Sequence, residues 1–253
     1  LKSSGQSQQK SFSLPFHLLE NDDNAYSVMT MNPSLSQRYL ERVSVFQGLS
    51  EDNINKLVAL TKTIELPKNH TIVNAGDRGD SMYIILEGSL KVYQTDNHDK
   101  QIVFAILTAG DYFGEMSLLD GKERSASIAT KEQSILLRLR KADFDTLVAN
   151  SPNFCNHLLI GLCERLRAAN TKISNLAHMD VYGRVAGLLM ESSEPCGTHY
   201  IVREHLTHQD IADRIGSSRE MVSKILRDLS FGRYISQEQN KNIIIHKHLP
   251  HAW

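Results

Sequence analysis

Between Thr71 and Leu139 the chain breaks into short runs rich in Val, Ile, Leu and Tyr, each cut off by turn formers. The runs are Thr71-Ile72-Val73, Ser81 to Leu86, Ser89 to Tyr93, Gln101 to Leu107, Ser125 to Ala129 and Ser134 to Leu139. Ala75-Gly76-Asp77, Glu87-Gly88, Asp96-Asn97-His98-Asp99, Ala109-Gly110-Asp111 and Asp120-Gly121-Lys122 separate them. Gly, Asn and Asp supply the backbone conformations that tight turns demand. The runs are too short for helices of several turns, so they predict strands. Many short strands at close spacing predict an antiparallel sandwich or barrel.

The pattern differs on both sides of this stretch. From Ser34 to Ala59, Leu40, Val43, Val45 and Phe46, then Ile54, Leu57 and Val58, recur at helical spacing and predict two short helices broken at Gln47-Gly48. Ser50, followed by Glu51 and Asp52, reads as the cap of the second. From Ala142 the pattern predicts one long helix. Leu162, Leu166, Ala169, Ile173 and Leu176 step by 4, 3, 4 and 3, a heptad seam. The seam serves a two-helix dimer contact or packs on its own β domain. Asp180 reads as the cap of a next helix, with a hinge before it. Glu194-Pro195-Cys196-Gly197 reads as a loop. Residues 1–33 read as a polar tail with an apolar cluster at Phe12, Leu14, Phe16, Leu18 and Leu19.

Composition narrows the function. The 253 residues are 41% hydrophobic and 23% charged, which supports packed cores rather than disorder. Lys and Arg total 28 against 29 Asp and Glu, so a uniformly basic nucleic-acid coat is excluded while a local basic face is not. No apolar run approaches a membrane span. Leu1 to Lys10 lacks the apolar centre of a signal peptide. Cys155, Cys163 and Cys196 form no C-x-x-C pair and read as reduced thiols of a cytoplasmic protein. His246, His248 and His251 read as a frayed tail before a metal site, and no metal is expected.

Two segments carry chemistry. The first runs from Gly110 to Ala126. Gly114 lets backbone approach a ligand. Arg124 offers a planar fork of donors suited to phosphate. Ser125 adds a hydroxyl and an N–H beside it. Glu115, ionised, only accepts hydrogen bonds and so suits a sugar hydroxyl. Together they describe a nucleotide-monophosphate clamp; the bland alternative is an Arg124–Glu115 or Arg124–Glu123 ion pair holding a loop. The second segment, Leu206 to Leu229, reads as helix, tight turn, helix. Thr207 caps the first with Asp210 three residues on, Gly216 closes it, and Ser217 with Glu220 is expected to cap the second. Ile211, Ala212, Ile215, Val222, Ile225, Leu226 and Leu229 point inward. The opposite face carries Arg219, Glu220, Ser223, Lys224 and Arg227. Arg219 and Lys224 can donate to guanine O6 and N7, and Glu220 can accept from a cytosine amino group. Tyr234-Ile235 and Ile243-Ile244-Ile245 suggest a wing hairpin, with Arg203, Arg233 and Lys241 as candidate phosphate contacts. The bland alternative is a helical hairpin with a solvated face. The chain shows no activated Ser/His/Asp set, no H-E-x-x-H and no P-loop, so an enzyme is not expected.

Gly114-Glu115, then Arg124-Ser125-Ala126, preceded by Tyr83-Ile84-Ile85-Leu86-Glu87-Gly88, resembles the cyclic-nucleotide-binding β-roll of the CRP/FNR (cyclic-AMP receptor protein) superfamily. The resemblance runs from about Val43 to Ile245 and includes the order of elements. It implies an α+β chain with an N-terminal antiparallel jelly roll at 34–150, a dimerisation helix at 151–179 and a winged helix-turn-helix at 180–253. It implies a cyclic nucleotide held by Gly114, Glu115, Met116, Arg124, Ser125 and Ala126, supported by Arg165, with Asn170 near the base. The family's consecutive Thr-Ser pair on the long helix is replaced by Ala169-Asn170, with Thr171 one place later. Cyclic AMP is the first choice of effector and cyclic di-GMP the second. The implied partners are a second copy, double-stranded DNA with two-fold symmetry read by Arg219, Glu220, Ser223 and Lys224, and RNA polymerase. The resemblance also leaves open a ligand-independent regulator with a vestigial pocket.

Overall fold

The structure, a computed structural model, describes residues 18–19, 27–29, 40, 43–97, 101–238 and 241–249. A 3-10 turn, Ser44–Phe46, precedes helix α1 (Glu51–Leu60), which Ser50 caps by accepting from the Asn53 N–H. Ten strands flank and follow it: β1 (Leu18–Leu19), β2 (Ser27–Met29), β3 (Lys62–Leu66), β4 (Thr71–Val73), β5 (Ser81–Glu87), β6 (Ser89–Thr95), β7 (Gln101–Thr108), β8 (Tyr112–Phe113), β9 (Ser127–Thr130) and β10 (Ser134–Arg140). A one-and-a-half-turn helix, α2 (Glu115–Asp120), interrupts them. The strands form an antiparallel sandwich, with one sheet ordered β1-β2-β3-β10-β5-β8 and the other β4-β9-β6-β7.

The first sheet is buried on both faces. Along β5, Met82, Ile84 and Leu86 pack into a core with Phe46, Leu57, Phe144 and Phe154. Tyr83 and Ile85 point the other way, into the core between the sheets with Leu90, Leu107 and Leu136. This is why β5 is apolar without interruption: alternate residues serve two cores. Sequence alone placed β4, β5, β6, β7, β9 and β10. It did not place β3 or β8, and it read residues 1–33 as a tail, although Leu18–Leu19 and Ser27–Met29 extend the sheet beside β3. Phe12, Leu14 and Phe16 lie outside the described residues.

The expected single helix from Ala142 is two, α3 (Lys141–Asn150) and α4 (Pro152–His178). Pro152 lacks an N–H and disfavours helix in the residue before it, so the chain breaks at Ser151 and restarts with Pro in the first turn. Ser151 caps α4. The seam on α4 is not packed on its own β domain: Leu166 is 62% exposed and Ile173 64%. Leu159, also 62% exposed, continues the seam one step earlier.

Asp180 accepts from the Gly183 N–H and starts α5 (Val181–Glu191). The segment read as a loop is a hairpin, β11 (Ser193–Cys196) and β12 (His199–Val202), turning at Gly197. Then come α6 (His208–Ile215), α7 (Arg219–Phe231), β13 (Ile235–Gln237) and β14 (Ile243–Ile245). These four strands make a sheet in the order β11-β12-β14-β13. The Thr207–Asp210 capping box and the left-handed Gly216 stand as expected. The cap of α7 is Ser218, not Ser217, accepting from Met221, because Ser217 still bonds back to Ala212 at the end of α6. His246 is not in a frayed tail: its ring bonds the Ser236 hydroxyl at 2.7 Å, and Leu249 beyond it is buried. His251 lies outside the described residues.

Candidate functional site

The residues of the phosphate-clamp segment lie on α2 and on the link between α2 and β9. Gly114 stands at φ 86° before α2, a conformation that only glycine adopts without strain. A side chain there would also sit 2.6 Å from the Arg124 guanidinium and 2.9 Å from the Ser81 carbonyl. Glycine is therefore required twice at this position.

Arg124 is 7% exposed. Its Nη1 donates to the Gly114 carbonyl and the Ser117 hydroxyl, both at 2.7 Å, and its Nη2 to the Ser81 carbonyl at 2.6 Å. Neither ion pair of the bland alternative, with Glu115 or with Glu123, is found among the described residues, because the guanidinium is turned onto two backbone carbonyls and the Ser117 hydroxyl. Burial lowers its pKa, opposed by Tyr83, Asp80 and Glu115 nearby. Three of the five N–H donors of an arginine are spent here, and Nε is not among them.

Glu115 is 1% exposed and pairs with Arg165 from α4: Arg165 Nη1 lies 2.9 Å from Oε1. Arg165 Nη2 also donates to the Tyr112 carbonyl, and its guanidinium lies 4.6 Å from the centre of the Tyr112 ring. Glu115 Oε2 is buried and has no hydrogen-bond partner among the described residues. A buried acceptor of this kind is costly unless a donor reaches it. Tyr112 also explains a mid-helix glycine: a Cβ at Gly161 would collide with the Tyr112 hydroxyl. Giving up about 1 kcal/mol of helix propensity lets the ring lie against α4. Burial raises the Tyr112 pKa, opposed by Arg165.

The structure thus brings Gly114, Glu115, Arg124 and Arg165 together. Met116 and Ser125 stand beside each other on the exposed side, sulfur to hydroxyl at 3.9 Å, and Ala126 is buried behind them. Within one chain Asn170 is not brought to these residues: five positions beyond Arg165, it lies about 140° round the helix, exposed, on the far flank of the seam. Sequence reasoning passed over Ser81, Ser117 and Tyr112, which position the two arginines. The only sequence signal was that Ser117 follows Gly114 by one helical turn.

In the C-terminal unit, Arg219, Glu220 and Lys224 are exposed along the first turns of α7, while Val222, Ile225, Leu226 and Leu229 are buried beneath. Ser223 is half-buried, its hydroxyl 2.7 Å from His208 Nδ1 on α6, so it ties the two helices together. Arg203 is exposed but pairs with Glu194; Arg233 and Lys241 are exposed. No group of three or more His, Cys, Asp or Glu that could hold a metal ion is found among the described residues. No helix among them is long and apolar enough to cross a membrane.

The model of the cyclic nucleotide-binding domain family matches residues 63–151, and that of the Crp-like helix-turn-helix domain matches residues 183–248. A CRP-like cAMP-activated global transcriptional regulator of Mycobacterium tuberculosis is 30% identical over 81% of this chain and 93% of its own length. The cAMP-activated global transcriptional regulator CRP of Pasteurella multocida is 32% identical over 71% of this chain and 88% of its own. Among solved structures, the c-di-GMP responsive global regulator CLP of Xanthomonas campestris superposes with a TM-score of 0.69 at 21% identity, covering 78% of this chain and all of that one, a likeness of fold. With a nucleotide-binding sandwich, a long helix and a winged helix-turn-helix in this order, and with these relatives, the chain belongs to the CRP/FNR family of DNA-binding transcription regulators that respond to cyclic nucleotides.

Proposed function

We propose that the chain acts as a homodimer whose affinity for a two-fold operator is set by a cyclic nucleotide held beside α2, with cyclic AMP the first choice. The observation that carries this reading is Glu115: one carboxylate oxygen is spent on Arg165 of the long helix, and the other is buried without a partner. A ribose hydroxyl supplies the missing donor. Arg124, through donors it does not spend on the protein, and Ser125 hold the cyclic phosphate. Gly114, Met116 and Ala126 shape the wall. The nucleotide is an effector and leaves unchanged.

Bound there, it loads the Glu115–Arg165 pair and so biases the position of α4. The exposed seam joins α4 to its copy in a partner subunit, and the Asp180 junction passes the change to α7. A ligand shifts such an equilibrium only by its different affinities for the two arrangements. Arg219, Glu220, Ser223 and Lys224 then read base edges in two half-sites about 34 Å apart. The activation by cAMP named for the two relatives supports the choice of ligand. One observation favours a second reading, cyclic di-GMP: Ala169 has no group to hold adenine, and Asn170 stands off the Arg165 face.

Calorimetric titration of the full chain with cyclic AMP, cyclic GMP and cyclic di-GMP in parallel tests this. Heat from cyclic AMP at one site per chain, abolished in Arg124→Ala, is expected. Heat from the dinucleotide alone replaces the ligand and keeps the architecture. No heat from any of the three overturns the reading and leaves a ligand-independent regulator.

A further inference from the structure

A cavity of about 530 Å³ lies away from α2, between β7, the end of α4, α5 and α6. Its apolar wall is Phe104 and Ile106 from β7, Leu176 from α4, Leu188 from α5 and Ile215 from α6. Its charged wall is Lys172, Arg184, Arg214 and one acid, Glu191. This size and this mixture of apolar lining with a few charged groups suit a small organic ligand.

The charges do not balance. Arg214 is met by Glu204, which donors on both Arg214 nitrogens and on Lys131 engage from outside the cavity. Glu191 faces Lys172 at longer range. Counting Lys131, four cations stand against two carboxylates, so positive charge among these groups is left over. Lys172 spends its ammonium on the Val103 carbonyl at 2.6 Å, a neutral partner, and burial, reinforced by Arg214, lowers its pKa. Arg184 donates from Nη1 to the Met179 carbonyl, while its Nε is buried and has no partner among the described residues. Half-buried cations facing neutral carbonyls are penalised unless an anion joins them.

We propose that this cavity binds a small amphipathic organic monoanion, its carboxylate between Lys172 and Arg184 and its apolar body against Phe104, Leu176 and Leu188. The site is separate from the nucleotide site and does not depend on that assignment. It joins four elements across the Asp180 junction, so its occupant fixes the angle between the sandwich and the winged unit.

The test is calorimetry on the full chain with decanoate, 2-naphthoate, decanol and inorganic phosphate. Two variants probe the site. Lys172→Met removes the ammonium and keeps the stem. Gly187→Phe fills the space, since a side chain begun at Gly187 meets nothing within 4 Å. Thermal melts confirm that both fold. Binding of decanoate or 2-naphthoate at one site per chain, weakened at least tenfold by Lys172→Met and lost in Gly187→Phe, is expected; whichever anion binds more tightly tells a flexible chain from a ring. Decanol or phosphate binding as tightly as the carboxylates, or carboxylate binding that survives in Gly187→Phe, overturns the proposal. So does the absence of carboxylate binding, which means that a partner subunit or the chain itself closes the cavity.

Discussion

The charged residues of the β sandwich and those of the winged unit are built into the chain in opposite ways. Arg124, Glu115 and Arg165 are committed to the protein itself, held by carbonyls, by Ser117 and by one another. Arg219, Glu220 and Lys224 stand in solvent and enter no ion pair among the described residues. The reason is dielectric. A charge out of water must have its partners in place beforehand, because leaving it bare costs several kcal/mol. A charge in water is already solvated and can wait for a phosphate or a base edge. The same residue type is therefore part of the scaffold in one region and, under the proposed function, a reader in the other.

Arg124→Ala is the harshest way to break that contrast. It removes the donors to the Gly114 and Ser81 carbonyls and to the Ser117 hydroxyl, each loss costing about 1–3 kcal/mol, and removes the donor proposed for phosphate. A lowered melting temperature together with lost nucleotide heat is expected; a melt like that of the unsubstituted chain would mean that Arg124 is not structural. Glu115→Gln comes next. It leaves Arg165 without its carboxylate while keeping the shape, so nucleotide affinity should fall at least tenfold with a smaller change in melting.

Arg219→Ala probes the other region. Losing one base contact should cost about 1–3 kcal/mol of discrimination, read as a roughly 5- to 150-fold weaker operator complex by fluorescence anisotropy. Its melting should stay within about 0.5 kcal/mol of the original, as for other exposed sites. The smallest effect concerns the contact between the regions, where Lys131 on the sandwich meets Glu204 at 3.0 Å. Burial pushes the Glu204 pKa up, but hydrogen bonds from Arg214 and Lys131 outweigh it, and the net direction is down. A depressed carboxylate contributes stability above its unfolded pKa and loses it as pH falls through the folded value. The melting difference between the chain and Glu204→Gln should therefore be largest near neutrality and vanish in acid.

The sequence made the two regions legible to different depths. Helix caps and amphipathic faces are local, so Thr207, Asp210, Gly216 and the inward face of α7 could be read directly. The exposed residues proposed to read DNA followed, because they are what remains once the buried face is subtracted. In the sandwich, Gly114, Glu115 and Arg124 could be singled out by chemistry; Arg165 came only through the family resemblance, and Ser81, Ser117 and Tyr112 not at all. Ser81 lies 43 residues from Arg124, and Arg165 lies 50 from Glu115. Such pairings are fixed by how strands and helices pack, which no local pattern encodes. The break at Ser151-Pro152 was legible in principle, since Pro marks it, whereas the β11–β12 hairpin was hidden by Pro195 inside an edge strand.

Operator affinity decides whether a nucleotide gripped beside α2 governs the helices proposed to read DNA. A duplex selected by the protein from a random pool would be titrated by fluorescence anisotropy, with and without cyclic AMP, using the unsubstituted chain and Arg124→Ala. The nucleotide is expected to shift the affinity of the unsubstituted chain at least tenfold and to leave that of Arg124→Ala unmoved. Equal affinity of the unsubstituted chain with and without the nucleotide, at concentrations where calorimetry shows it bound, would contradict it.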